Sequence, residues 1–274
     1  LNHSLEHKVE VRTKELAEER NKLKQRNIQM EQELIMARRI QEQLIPSSLP
    51  ALNLAALYKP MDQIGGDFYD FFPFPDNKLG VFVSDVSGHG IPAALITTML
   101  KSFLLRAGNF LLNPSQTLFY LNQSLVNQTA NNFITAFYGV YDFDSQILTY
   151  SEAGHPSPFL LKEQEVSQLP KTSRGLPLAV FDNKTLQRRS MVYENNSVNF
   201  KPNEKLLIYT DGLIEATPLN QDHHFFMEHG LEKTLDELKQ KEPQELIHNL
   251  YLKLKSFRGD EDFDDDVCLV CLKS

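Results

Sequence analysis

Residues 1 to about 45 arrange polar side chains around one apolar line. Val9, Leu16, Leu23, Met30, Ala37 and Leu44 recur at seven-residue intervals in a stretch free of Gly and Pro. That spacing predicts a long helix with a coiled-coil seam. The companion line is interrupted, because Leu5 and Ile40 share it with Arg12, Glu19, Arg26 and Glu33. A weak parallel homodimer is therefore expected, the alternative being a single solvated helix held by i,i+4 ion pairs. Pro46 and Pro50, in IPSSLP, stop this helix.

After the prolines the pattern changes to short apolar and aromatic runs. LNLAALYKPM, DFYDFFPF and LGVFVSDV read as strands. IPAALITTMLKSFLLRAG, opening near Pro92, and SQTLFYLNQSLVNQTA read as helices. ITAFYGVYDF, ILTYSEAG, PFLLKEQEV, RRSMVYENNSV and EKLLIYTDG read as further strands, followed by helices near 223–239 and 243–257 and a last strand, DVCLVCLK. Two runs of strands, each followed by paired helices, predict α+β layers rather than a βαβ alternation. The expected division is a helical linker over 1–45 and one domain over 46–274.

Composition narrows the function classes. The chain has 274 residues, 41% hydrophobic and 23% charged, with net charge -8 and pI near 5.5. An acidic balance argues against a general nucleic-acid binder. No apolar run reaches the roughly 18 residues of a membrane span, and LNHSLEHKVE lacks the pattern of a signal peptide, so no direct membrane contact is expected of this fragment. The first residue is Leu rather than Met, which suggests a piece of a longer protein with any sensor or anchor upstream. The only cysteines, Cys268 and Cys271, form a C-x-x-C. On a strand residues three apart point to opposite faces, which favours packing over redox or zinc chemistry.

Four acids mark candidate chemistry: Asp67 in IGGDFYD, Asp85 in FVSDVSGHG, Asp211 in LLIYTDG and Asp265 in DEDFDDDV. Each alone is ordinary turn or solvated-loop chemistry. Together they share a form, for apolar strands lead into Asp85 and Asp211 and a strand follows Asp265. Strand ends let a rigid scaffold gather side chains from distant sequence. Carboxylates gathered without Lys or Arg partners need a divalent cation, and oxygen-only ligands suit Mg2+ or Mn2+ rather than zinc. Two rival motifs fit poorly. GHGIPA matches a dinucleotide fingerprint, but Asp85 would oppose a pyrophosphate and a second helix follows where a strand is needed. IGGDFYD matches a nucleotide-cyclase turn only until Phe68, which stands where that motif needs an acid.

IQEQLIPSSLP, YKPMDQIGGDFYD, SDVSGHGIPAALI, EAGHPSPFLL, GLPLAV, LLIYTDGLIEA and DDDVCLVCL, in this order, resemble the bacterial SpoIIE/RsbU branch of the PPM metal-dependent serine/threonine phosphatases. The match runs from about Ala37 to the C-terminus. It implies an α-β-β-α sandwich with two Mn2+ or Mg2+ ions at one edge. The implied ligands are Asp67, Asp85, the Val86 backbone carbonyl, Asp211 and Asp265, the last as first acid of the DDV matching the family's DD-(I/V)-T. Gly65 and Gly66 are expected to let the chain turn so that Asp67 faces the ions.

In such sites two ions activate a bridging water and stabilise phosphoryl charge during in-line attack, with no protein nucleophile. Asp85 and Asp211 are then catalytic through that water. This sequence departs from the family pattern at Cys268, the usual Thr position, and at Ser87, where relatives elsewhere in the PPM family carry a histidine proposed as general acid. His89 is a weaker candidate for a site role, and His155, in EAGHP, is expected to be structural. The implied substrate is a phosphorylated protein, often a phosphorylated antagonist of an anti-sigma factor in partner switching. The implied setting is cytoplasmic, including the cytoplasmic part of a larger sensor-linked or membrane-anchored protein. The rival from another class is an inactive partner-binding module of the same fold.

Overall fold

The computed structural model describes residues 2–46, 48–50, 53–171, 175–218, 225–259 and 263–274. Helix α1, Asn2–Glu42, is followed by strands β1 (Leu54–Lys59), β2 (Phe68–Phe74) and β3 (Lys78–Val86). Then come α2 (Ile91–Arg106), a 3-10 turn over Gly108–Leu112, and α3 (Pro114–Leu125). Strands β4 (Ile134–Asp142), β5 (Ile147–Ala153), β6 (Phe159–Leu161) and β7 (Val166–Gln168) precede α4 (Asn183–Arg188). The chain ends with β8 (Asn196–Asn199), β9 (Lys205–Tyr209), α5 (Asp211–Ile214), α6 (Phe226–His229), α7 (Leu231–Leu238), α8 (Pro243–Arg258) and β10 (Val267–Lys273).

The strands form two five-stranded antiparallel sheets, ordered β1-β10-β9-β6-β7 and β2-β3-β4-β5-β8. Side-chain parity explains why four layers result. Along β10, Cys268, Val270 and Leu272 pack between the sheets, whereas Val267, Leu269 and Cys271 face α7 and α8. The two thiols are free, buried and on opposite faces, as residues three apart on a strand must be. On the other sheet Tyr69, Phe71, Val81 and Val83 fill the inter-sheet core. Phe68, Phe82 and Tyr138 of that sheet meet Ile96 and Leu100 of α2 and Leu118 and Leu121 of α3. The expected α-β-β-α sandwich is therefore the observed one. Among the described residues no helix is long and apolar enough to cross a membrane.

Several element boundaries differ from those expected. PFLLKEQEV divides into the hairpin pair β6 and β7. RRSMVYENNSV starts as the end of α4, whose first turn is capped by the Asp182 side chain accepting from the Thr185 amide, and only Asn196–Asn199 pairs as a strand. The helix expected over 223–239 breaks at Gly230, whose φ of 147° is open to glycine alone. Its first two residues lie outside the described set. Helix α1 ends at Glu42, where the Gln43 and Leu44 amides bond three residues back and tighten the last turn ahead of Pro46.

The N-terminal helix is two things along its length. Val9, Leu16, Leu23 and Met30 are 59–65% exposed. Leu34 and Ala37 are half-buried and Gln41 is buried, while Leu44 packs into the cluster of α2 and α3. The seam's last members are thus used inside the chain, and its upper members are open to solvent.

Candidate metal centre

The four acids reach one edge of the sandwich from both sheets. The register Phe68↔Ser84 between β2 and β3 extends to bring Asp67 opposite Asp85. On the other sheet Asp211 follows β9 and Asp265 precedes β10, and the Thr210 amide bonds to the Cys268 carbonyl at 3.1 Å to hold those ends together. Gly212 leaves no space there, since a β-carbon would lie 2.0 Å from the Asp266 carbonyl oxygen.

Charge couples the acids across both sheets. Burial, then Asp85 and Asp266, push the Asp67 carboxyl well above the usual carboxylate range. Burial, then Asp211 and Asp265, push Asp85 up to about 8. Asp211 is raised to about 6 by burial, then by Asp265 and Glu215. Asp265 is also raised, by burial first, with the Asp266 amide and His89 acting in the opposite direction. The charges acting most strongly on Asp67, Asp85 and Asp211 are thus other carboxylates. Among the described residues, no three His, Cys, Asp or Glu side chains close round a single point as they stand. An oxygen-only donor set with excess negative charge fits hard divalent cations.

The surrounding contacts fix two of the carboxylates in different ways. Thr210 donates its hydroxyl to Asp67 Oδ2 at 2.6 Å and accepts from the Cys268 amide at 3.0 Å, so a short chain of hydrogen bonds aims Asp67. Asp266 takes a structural role instead. Its Oδ1 accepts from the Met61 amide at 2.7 Å, and its Oδ2 accepts from the Gly66 and Asp67 amides. Of two adjacent acids, one ties down the IGGD loop and the other stays at the edge. Asp70, the second acid of IGGDFYD, is buried away from the group and pairs with Lys101 of α2 at 2.7 Å.

Gly65 and Gly66 are needed for room rather than for a left-handed turn, since neither has positive φ. A β-carbon on Gly65 would lie 2.1 Å from Asp266 Oδ2, and one on Gly66 would lie 2.8 Å from the Val86 carbonyl oxygen. That close approach sets the Val86 carbonyl against Gly66, the residue before Asp67. Gln41 of α1 adds a third constraint: its amide donates to the Gly65 carbonyl at 2.6 Å and accepts from the Gly65 amide at 3.2 Å.

The other candidates separate. The Ser87 hydroxyl accepts from the Phe133 amide at 2.9 Å and closes the end of β3. His89 is exposed on the loop before α2, within electrostatic reach of Asp265. His155 is buried, its Nδ1 2.9 Å from the Thr135 hydroxyl, and burial pushes its pKa down to about 3 against an opposing pull from the Tyr209 backbone. Such a neutral ring is part of the core. Thr210, Asp266, Gln41 and Glu215 were not singled out from the sequence. Each nevertheless lies in a stretch that carries the family resemblance, Gln41 in IQEQLIPSSLP, Thr210 and Glu215 in LLIYTDGLIEA and Asp266 in DDDVCLVCL.

The four-layer sandwich with an acidic edge defines the PPM phosphatase class. The structure aligns with the SiaA-PP2C domain of Pseudomonas aeruginosa at a TM-score of 0.78 and 21% identity, covering 90% of this chain and 98% of that one. The family model Stage II sporulation protein E (SpoIIE) matches residues 75–274, and the chain belongs to that family, in the SpoIIE/RsbU branch of the PPM serine/threonine phosphatases. It is 29% identical over 247 residues to the phosphoserine phosphatase RsbU of Bacillus subtilis, covering 87% of this chain and 70% of the relative. It is 27% identical over 192 residues to the phosphoserine phosphatase RsbP of the same organism, where it spans 68% of this chain but only 46% of the relative. Asp85, Val86, Asp211 and Asp265 fall inside the family match, and Asp67 lies eight residues before it.

Proposed function

We propose that the acidic edge binds two divalent cations, Mn2+ or Mg2+, and that the domain hydrolyses phosphoserine or phosphothreonine on a protein. The observation that carries this reading is the gathering of acids from both sheets at one edge, where burial and then neighbouring carboxylates raise the carboxyls of Asp67, Asp85 and Asp211. Bound cations would supply Lewis-acid polarisation of a phosphoryl oxygen and a water acidic enough to attack at neutral pH. The chain's own part is to bind and orient. Asp67, Asp85, Asp211, Asp265 and the Val86 carbonyl would hold the ions, Thr210 aims Asp67, and Asp266 keeps the IGGD loop against the Val86 carbonyl.

The substrate in this reading is a phosphorylated regulatory protein, of the anti-sigma-factor-antagonist kind, in a cytoplasmic partner-switching relay. Similarity to two named phosphoserine phosphatases supports the phosphoserine chemistry. The exposed upper seam of α1 supports a homodimer through residues 1–45 and a division between that linker and the domain over 46–274. Phosphate release from phosphoserine, phosphothreonine and phosphotyrosine peptides in Mn2+ or Mg2+ tests the activity. Release from phosphoserine that EDTA abolishes is expected, whereas equal release in EDTA or preference for phosphotyrosine would contradict it.

A further inference from the structure

Helix α8 ends a short distance from the acidic edge, and its last residue faces that edge rather than capping the helix. The cap is provided by Gly259, with φ of 82° and an amide bonded to the Lys255 carbonyl. The Arg258 guanidinium, its side chain only 11% exposed, forks onto two segments. Nη1 donates to the Thr217 carbonyl at 2.8 Å and lies 2.6 Å from Asp264 Oδ2, while Nη2 donates to Asp264 Oδ1 at 2.6 Å. Asp264 immediately precedes Asp265, and Thr217 belongs to the segment that follows α5 and Asp211.

We infer that Arg258 is a positioning residue for the metal centre, acting through Asp264 on Asp265 and through Thr217 on the segment that carries Asp211. The inference rests on the proposed metal-binding reading of the acidic edge. An exposed ion pair contributes little, but a two-pronged Arg–carboxylate pair with the arginine mostly buried fixes geometry as well as charge. Asp264 is itself largely exposed, so burial does not hold it. Its fork with Arg258 is the contact that orients it. A cavity of about 160 Å³ is lined by Arg258, Glu215, Gly212, Asp264 and Asp265, so a released guanidinium leaves room for the acidic run to shift. Gly212 touches the Asp266 carbonyl, and movement of the run would carry Asp211 with it.

The test is calorimetric titration of Mn2+ into chelator-stripped full chain, for the parent, Arg258→Met, Arg258→Lys, Asp264→Asn and the Arg258→Met/Asp264→Asn pair. Removing a group that orients a ligand typically weakens metal affinity about 10–100-fold. Arg258→Met and Asp264→Asn are each expected to fall in that range, and the double variant no lower than the worse single. Lysine keeps the charge without the fork and should recover only part of the loss. Asp264→Asn keeps the test open should Arg258→Met fail to fold. Parent-like affinity in both single variants would overturn the inference alone, as would full recovery by Arg258→Lys. Absence of Mn2+ binding to the parent would overturn it together with the metal-binding reading.

Discussion

Asp67 and Asp85, delivered by β2 and β3, form one pair at the acidic edge, Asp67 buried and Asp85 half-buried, while the other pair, at the ends of β9 and β10, has Asp211 half-buried and Asp265 exposed. The first pair shows the larger upward shifts, with burial as first cause for both. Its surroundings are interior contacts: the Thr210 hydroxyl on Asp67, and the Gln41 and Asp266 clamps on the glycines before it. The second pair depends on a backbone contact at Gly212 and on the Arg258 fork. The inner half of the site is thus preorganised by packing at the cost of repulsion, and the outer half is held by few contacts near the surface. A cation centre built this way has its strongest need for positive charge where its geometry is firmest.

If both halves serve one centre, either can be broken with a similar result. Asp85→Asn or Asp211→Asn keeps the side chain's shape and deletes a ligand charge. Loss of several kcal/mol of transition-state stabilisation, about 100-fold or more in turnover, is expected from each, with an unchanged far-ultraviolet spectrum. Hydrolysis of p-nitrophenyl phosphate measures it, and unimpaired turnover in either variant would divide the site.

The halves should differ in pH dependence when no metal is bound. A carboxyl whose folded pKa is raised binds more protons folded than unfolded, so its contribution is present at low pH and is lost as pH rises through the folded value. With Asp85 raised from 3.8 to about 8 and Asp211 to about 6, the melting temperature in EDTA should fall between pH 5 and pH 8. Asp85→Asn should flatten that fall more than Asp211→Asn does. A melting temperature that is level or rising over this range would remove the claimed coupling.

Gln41→Ala sharpens the comparison from the inner side. It leaves the buried Gly65 amide and carbonyl unpaired, costing about 1–3 kcal/mol of stability, and should raise the Mn2+ concentration for half-maximal activity. Deleting residues 1–36 spares Gln41, so a shift there would show that the exposed length of α1 also acts on the site, whereas parent-like titration would make that length a tether. The smallest effect is self-association. The exposed Val9 to Met30 seam should give a modest dimer by light scattering, lost on the same deletion, and a strictly monomeric parent would exclude it.

How much of this was legible varied with the range of the contact. Strand alternation placed Cys268 and Cys271 on opposite faces, and apolar runs ending in Asp85 and Asp211 marked the edge. The family resemblance selected Asp265, and only the fold supplies a job for Asp266, which bonds to amides some 200 residues away. Gln41 reads as one more polar position on a charged helix until its amide meets Gly65. The glycines of IGGD looked like turn formers, yet steric approach of Asp266 and Val86 explains them. The broken helix at Gly230 and the short β8 were missed because local apolar pattern does not reveal where pairing stops.

Anomalous diffraction at the manganese edge, from crystals grown with Mn2+, tests the central claim most directly. The account predicts two peaks at the sandwich edge within bonding distance of carboxylates from both sheets, Asp67 and Asp85 on one side and Asp211 and Asp265 on the other. Peaks held by one sheet alone, or none at this edge in protein that hydrolyses phosphoserine, would contradict it.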